Sequence, residues 1–400
     1  MKATEQSPEK GRFQKKHIVR LLLVGVLIAV AAAAFAYGIG SLISASDGYR
    51  TVECTANAAN CAGDFIFTYQ LGVSGISPTA ELKAVTNLYN EKAVYYYRLF
   101  HPTEQFEDTV NLASLNASPN TELTLPAELY AALEKAAADP GRNVYLAPFF
   151  AYYDTLFASS YDEDAATWDP QRNADLQAEY EKTLTFVSSP EHVRIECKGG
   201  SKAELYVSEE YLSWAEEVGI RSFVDFYWMK NAFIADALAA DLTNAGYRYG
   251  VLSSTDGFLR NTDAGDTEYA FDIFDERGGS LRALGKLIYR GSAAICSPHP
   301  FILDDADRNF TYEYADGTRV TRYISVADAL PHGPTGNVTV CSKDHGCSDL
   351  LLALLPCYLN DNAAAFSLQG AGILYSDGVT LHTSLTDGFT YTPNTPAPSD

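Results

Sequence analysis

The chain has 400 residues, of which 47% are hydrophobic, so it is long and apolar enough to build a sizeable core in one large domain or two. Its formal net charge is −22. Residues 1–46 carry six Lys/Arg and two Asp/Glu, which leaves 23 basic and 49 acidic residues for the remainder. Because contacts to phosphates require Lys and Arg, this acidic remainder argues against a protein that binds nucleic acid.

The N-terminal part of the chain is typical of a membrane anchor. Residues 21–43 include no charged side chain, and a helix needs about 20 such residues to cross a hydrocarbon core about 30 Å thick. Six Lys/Arg residues precede this stretch, five of them between Lys10 and Arg20, so the N-terminus is expected to stay in the cytoplasm. We predict a single-pass protein of the cell membrane with a cytoplasmic basic tail at 1–17, a transmembrane anchor at 18–44 and a stem at 45–64, followed by a large extracytoplasmic domain. A cleaved signal peptide is the alternative.

Seven cysteines follow the anchor, on the side of the membrane where disulfides form. Cys54 and Cys61 lie close together in the stem, so we predict a local disulfide, with Cys341 and Cys347 as a second candidate pair. The odd number leaves at least one thiol unpaired or bonded to another chain. A structural zinc site is disfavoured, because the chain has no Cys-x-x-Cys motif.

Periodicity predicts alternating helices and strands between residues 65 and 391. The predicted elements are a strand at 65–73, a helix at 79–100, a helix at 125–133, an acidic surface excursion at 154–175, a hairpin at 194–207, strands at 269–274, 284–289, 293–295 and 337–341, and a helix at 348–356. Residues 392–400 contain three prolines and are predicted to be a disordered tail.

Residues 225–260 are the stretch around which the other elements are arranged. Asp225 opens an extended entry, and apolar residues then recur at a helical spacing from Phe233 to Leu242. Gly246 stands where a helix ends on a residue free to take positive φ. A short strand follows and runs into Asp256-Gly257, which is typical of a tight turn.

This stretch resembles the core of the FAD:protein FMN transferase family, the flavin transferases once called thiamine-biosynthesis lipoproteins. That family reads Asp-Leu-Gly-Gly-x-x-Lys-Gly-x-x-x-Asp at a strand-to-helix junction. Asp225 and Asp236 have the separation of the two aspartates in the motif. The residues between them differ: the two glycines are Tyr227 and Trp228, the lysine is Asn231, and the last glycine is Ala232.

Two further segments are similar to that family. Asn116 matches an asparagine that reaches FAD, although a turn or cap asparagine before Pro119 is an equally good interpretation. Asp349 matches an aspartate that binds Mg²⁺ together with a threonine four residues later, one turn along the same helix face. Here that threonine is Ala353, and magnesium prefers oxygen ligands. The alternative for Asp349 is an acidic residue favoured by the helix dipole.

The resemblance spans about residues 65–383 and implies a mixed α/β (α+β), flavin-transferase-like (T-fold-like) single domain at 65–391. It implies an enzyme that moves FMN from FAD to a threonine of an exported flavoprotein with Mg²⁺. The cofactor-binding residues would be Asn116, Asp225, Asp256 and Gly257, and the metal ligand Asp349. Because so many motif residues differ, the alternative is a catalytically degenerate family member that acts as an extracytoplasmic binding or scaffold protein.

Overall fold

The computed structural model of the protein describes residues 48–52, 54 and 64–394. Its strands are β1 (Gly48–Val52), β2 (Phe65–Leu71), β3 (Glu122–Thr124), β4 (Val193–Cys197), β5 (Lys202–Val207), β6 (Gly250–Ser254), β7 (Phe258–Asn261), β8 (Glu268–Arg277), β9 (Ser280–Arg290), β10 (Ala293–Cys296), β11 (Thr311–Glu313), β12 (Arg319–Thr321), β13 (Val338–Ser342), β14 (Ala371–Ser376), β15 (Leu381–Ser384) and β16 (Phe389–Pro393). Its α-helices are α1 (Pro78–Leu99), α2 (Leu112–Asn116), α3 (Ala127–Ala137), α4 (Ala147–Phe157), α5 (Asp162–Thr167), α6 (Ala174–Val187), α7 (Glu209–Val218), α8 (Lys230–Asn244) and α9 (Cys347–Tyr358).

The main sheet has eight strands in the order β1-β2-β6-β7-β10-β13-β14-β15. From β2 to β15 each strand pairs antiparallel with the next, and Ile295 of β10 lies opposite Leu259 of β7 and Cys341 of β13. Smaller sheets have the orders β16-β9-β8, β3-β5-β4 and β11-β12. Helices segregated from antiparallel sheets define an α+β architecture, so the predicted mixed α/β class is confirmed.

Apolar side chains cover the main sheet on both sides. One core cluster joins Leu259, Ile295 and Leu374 of this sheet to Ile273 and Leu287 of the β16-β9-β8 sheet. Helix α8 packs against β6 and β7, and α9 packs against α8, β10 and β13. Every residue of β10 and β13 is therefore buried, as expected for central strands of a sheet that is covered on two faces.

Helix α8 forms as its periodicity predicts. Leu238 and Leu242 are fully buried, and burial of each such side chain contributes roughly 1.5–3 kcal/mol. Gly246 takes φ +95° directly after the helix, and the Tyr247 N–H donates to the Leu242 carbonyl at 2.9 Å. The helix thus ends in a left-handed residue, for which glycine carries no Cβ penalty.

Most of the other predicted elements are confirmed within a few residues. The predicted hairpin is β4 and β5, joined across Gly199 and Gly200, which both take positive φ. The predicted acidic excursion at 154–175 does lie mostly at the surface, but it is helical, because it contains all of α5 and parts of α4 and α6. The predicted tail begins too early, because β16 extends to Pro393 and pairs with β9. Residues 395–400 lie outside the described residues.

Of the described residues, Gly48 and Leu71–Ala84 form a compact unit of their own. Within it, the Gly72 N–H donates to Glu81 Oε2 at 2.8 Å, and the Glu81 N–H donates to the Ser77 carbonyl at 2.9 Å. These bonds close the turn that leads into α1.

The predicted anchor at residues 18–44 lies outside the described residues. Among the helices that the structure does describe, none is both long and apolar enough to span a membrane.

The predicted disulfide between Cys341 and Cys347 is wrong, since both thiols are free and buried. Cys341 lies within β13, whereas Cys347 begins α9 and places its Sγ 3.2 Å from the Leu259 carbonyl. The thiol of Cys296 lies nearby, with its Sγ 3.2 Å from the Cys347 carbonyl oxygen. The other predicted pair stays a prediction, because Cys61 is outside the described residues.

Candidate ligand-binding site

The junction between Asp225 and α8 forms one side of a cavity. Asp225 Oδ1 accepts the Tyr227 N–H at 2.8 Å, and a 3₁₀ turn at Tyr227–Met229 leads into the helix. Tyr227 takes φ +45°, in the left-handed region that favours glycine. Its ring stacks on Phe150 at 4.1 Å, and its hydroxyl donates to Asp154 Oδ1 at 2.6 Å. These contacts hold a bulky residue where the related motif has a glycine.

The cavity has a volume of about 370 Å³. Its walls combine carboxylates, two cations and aromatic rings. Among the described residues, the charged lining side chains are Asp64, Asp154, Asp225, Asp256, Lys230 and Arg322, and the aromatic ones are Phe150, Tyr227, Trp228 and Phe310. A cavity of this size suits a small ligand.

Asp225 is a lining carboxyl whose pKa is shifted towards neutral pH. Burial raises its pKa to about 6, although the Tyr227 N–H and the charge of Lys230 oppose this rise. A carboxyl group with such a pKa can exchange a proton near neutral pH.

Asn231 links two carboxylates at the other side of the cavity. Its Nδ2 donates to Asp256 Oδ2 at 2.9 Å and to Asp64 Oδ2 at 3.2 Å, and these two acceptors fix the orientation of the amide. Within the described part of the chain, the Oδ1 atoms of Asn231 and Asp256 accept no hydrogen bond. The nearby Ser254 hydroxyl donates to the Phe258 carbonyl at 3.3 Å. Among these residues, Asn231 Oδ1 is thus left without a donor, and the Ser254 hydroxyl, which lies beside the Asp256 carboxylate, is directed at the Phe258 carbonyl.

Arg322 connects the cavity to a second polar cluster. It is only 6% exposed, lies over the Phe310 ring at 4.6 Å and places Nη2 3.8 Å from Asp307 Oδ1. Burial alone would lower the pKa of Arg322, but Tyr323, Asp256 and Asp307 together raise it. Burial raises the pKa of Asp256, and the charge of Arg322 opposes this. The guanidinium is therefore shared between two buried carboxylates.

The structure brings two of the predicted cofactor-binding residues together, since Asp225 and Asp256 line the same cavity. Asn116 lies behind the wall. Its Nδ2 donates to Ser222 Oγ at 2.8 Å and to the Val224 carbonyl at 2.9 Å, and its Oδ1 accepts the N–H groups of Phe223 and Val224. Because Ser222 lines the cavity, Asn116 positions a wall segment, and its contact with a cofactor stays a prediction.

Gly257 serves the packing of the main sheet. It takes φ +96°, and a Cβ at this position would lie 2.2 Å from the Ser297 carbonyl oxygen. Its own carbonyl accepts the Ser297 N–H at 2.8 Å. Glycine is required for this close approach, and the residue lines a smaller neighbouring cavity of about 110 Å³.

Asp349 is not among the residues that line the cavity beside Asp225. Its Oδ1 lies 2.6 Å from Lys135 Nζ, and this pairing lowers the pKa of Asp349 although burial alone would raise it. One turn along α9, Ala353 offers no side-chain oxygen. Among the described residues, no three His, Cys, Asp or Glu side chains are placed to hold a metal ion. This arrangement does not fit magnesium, which prefers several oxygen ligands.

FAD also fits the cavity beside Asp225 only in part. The aromatic walls suit a planar ring, but four lining carboxylates outnumber two lining cations. Its doubly negative pyrophosphate would be repelled by this surplus of like charge.

Several residues of this site were missed by sequence reasoning. Asp64 is the last residue of the predicted stem, and Asp154 was assigned to a surface excursion. Arg322 lies between two predicted strands, in a segment for which no element was predicted. The replacement of a motif lysine by Asn231 was the one signal that the polar chemistry here had changed.

Comparison with known proteins identifies the fold. Neither a protein-family model nor a curated protein sequence matches the chain. Solved structures do match. The ApbE protein from Thermotoga maritima MSB8 superposes with a TM-score of 0.57 at 13% identity, over 84% of this chain and 97% of that chain. The flavin transferase ApbE from Vibrio cholerae gives 0.55 at 13%, over 87% and 97%. The apo form of the Pseudomonas stutzeri flavinyl transferase ApbE gives 0.51 at 12%, over 87% and 94%.

The chain therefore has the mixed α/β fold of the ApbE flavin transferases, and the fold that the sequence resemblance implied is confirmed.

Proposed function

We propose that this protein is a membrane-anchored, extracytoplasmic relative of the FAD:protein FMN transferases that binds a small ligand and does not carry out magnesium-dependent FMN transfer. The cavity beside Asp225 supports this proposal best. It occupies the strand-to-helix junction at which the related motif lies, and it keeps the half-buried carboxyl of Asp225 and aromatic walls.

The loss of transfer is argued from the side chains around that junction. Glycines allow a backbone to approach a ligand closely, and the rings of Tyr227 and Trp228 now occupy that space. The carboxylate of Asp349 is engaged by the ammonium group of Lys135. Both changes remove features that a bound FAD–magnesium complex would use.

The second candidate is an active FAD:protein FMN transferase whose acceptor is an exported flavoprotein. The shared fold favours it, and so does the preserved spacing of Asp225 and Asp236. In that case magnesium would neutralise charge on the pyrophosphate of FAD, and Asp349 would have to leave Lys135 to bind it.

One titration separates the two candidates. The full chain in detergent is mixed with FAD, with and without Mg²⁺, and AMP release is measured together with flavinylation of a peptide that carries Asp-x-x-Thr-Gly-Ala-Thr. We expect neither product. Magnesium-dependent release of AMP that disappears in Asp349→Ala would overturn the proposal and identify an active transferase. Ala353→Thr adds the missing hydroxyl and should strengthen any metal binding.

A further inference from the structure

We infer that the cavity selects a ligand with a cationic nitrogen group on a flat apolar body, such as an aromatic amidinium, over phosphate-bearing nucleotides. The inference rests on the proposed binding role of this cavity and specifies the ligand class.

The first observation is the pair of unpartnered acceptors. Asn231 and Asp256 are 5% and 7% exposed, both line the cavity, and the Oδ1 atom of each accepts no hydrogen bond from the described residues. A buried acceptor without a donor is unfavourable, because it has lost its hydrogen bonds to water. A ligand that donates N–H groups to both oxygens would remove this cost, whereas a phosphate offers only further acceptors.

The second observation is the balance of charge. Asp64 is exposed and belongs to the same group of acceptors, because its Oδ2 accepts a hydrogen bond from Asn231 Nδ2. Arg322 is held between Asp256 and Asp307, so it neutralises neither of them fully. Burial lowers the pKa of His101, which also lines the cavity and is therefore neutral at pH 7. The surplus of carboxylates attracts cations and raises their local concentration.

The third observation is the aromatic wall. Tyr227 and Phe310 both line the cavity and are partly exposed, and the edge of one ring faces the other at 6.4 Å. Arg322 already lies over Phe310, which shows that this wall accommodates a planar cation. A flat apolar group attached to the ligand nitrogen would contact the same rings.

Three probes of similar size and shape test the inference. Benzamidine is cationic and donates N–H groups, benzamide is neutral, and benzoate is anionic. Binding of each, and of FAD, to the full chain in detergent is measured by isothermal titration calorimetry. We expect benzamidine to bind at least about tenfold more tightly than benzamide, with no binding of benzoate.

Two variants locate the binding. Asp256→Asn keeps the shape of the side chain and removes its charge, and Asn231→Leu removes an acceptor; each should weaken benzamidine binding at least about tenfold. Asp305→Asn removes a fully exposed carboxylate and should leave binding unchanged. Circular dichroism establishes that each variant is folded, and Asp256→Asn suffices if Asn231→Leu does not fold.

The outcomes separate this inference from the proposed function. Binding of benzoate or FAD as tight as that of benzamidine, without AMP release, would overturn the cation preference and leave the binding role standing. Wild-type affinity for benzamidine in folded Asp256→Asn, or no binding of any probe, would also overturn the inference. Release of AMP from FAD would overturn the proposed function itself.

Discussion

Tyr227 keeps a backbone conformation that suits glycine while carrying one of the largest side chains. Left-handed φ costs roughly 1–2 kcal/mol for a residue with a Cβ. Stacking on Phe150 and the hydrogen bond to Asp154 offset this cost. A left-handed turn is thus held here without a glycine, and the space beside the backbone is filled by a ring.

Asn116 should matter for stability. Asn116→Ala removes the acceptor of two buried N–H groups, those of Phe223 and Val224, so we expect a loss of about 2–4 kcal/mol in the free energy of unfolding, measured in urea. Asn360→Ala is the matched control, because its Nδ2 makes one exposed bond to the Pro356 carbonyl. Equal losses in the two variants would contradict a structural role for Asn116.

Asp225 should make stability depend on pH. Its folded pKa of about 6 lies above the value of about 3.9 expected in the unfolded chain, so the folded state holds the proton more tightly. Stability should therefore fall as pH rises from 4 to 6, by on the order of 2–3 kcal/mol from this group. Asp225→Asn should lose this component, so its stability relative to the wild type should increase between pH 4 and 7. Parallel urea-unfolding profiles for the two proteins would refute the assignment, and Asp305→Asn serves as the exposed control.

For single residues, the sequence motif predicted that Asp225 and Asp256 belong to the site, but it did not predict which side chains contact them. The spacing of aspartates is visible in a linear chain. The unpartnered oxygen of Asn231 and the burial of Arg322 depend on side chains that are distant in sequence, such as Asp64 and Asp307. No local pattern carries that information.

At the scale of elements, helices α8 and α9 pack against the main sheet, and α8 begins beside the candidate site. Leu238→Ala should lower the free energy of unfolding by about 2–5 kcal/mol, because it leaves a void at a fully buried position of α8. Leu281→Ala, at a position that is 41% exposed on β9, should cost less than about 1 kcal/mol. Urea titrations measure both, and a loss below 1 kcal/mol for Leu238→Ala would show that α8 does not pack as described.

The boundaries of elements followed from the sequence where periodicity was strong. Helix α9 and the β4–β5 hairpin carry clear patterns and turn glycines. The helices between 147 and 187 do not, because their aromatic residues are buried on several sides and their acidic residues resemble a loop. Phe149 and Tyr153, for example, are both fully buried in α4. Tertiary packing, which the sequence alone does not display, decided these elements.

At the scale of the whole molecule, the N-terminal stretch predicts on which side of the membrane the acidic domain lies. The uncharged stretch at 21–43 and the basic residues before it lead us to propose a single-pass topology with residues after 50 outside the cytoplasm. Protease added to intact spheroplasts should then remove the large domain, whereas a cytoplasmic marker protein should survive. Full protection of the domain until the cells are lysed would contradict the proposed topology.

Arg322 also couples the cavity to a carboxylate that does not line it. A cation bound at Asp256 competes with the guanidinium, whose Nη2 lies 3.8 Å from Asp307 Oδ1. Occupancy of the cavity and the contact between Arg322 and Asp307 are therefore thermodynamically linked, and the linkage is reciprocal. Asp307→Asn should accordingly weaken cation binding from outside the cavity, because it leaves the guanidinium to pair with Asp256 alone.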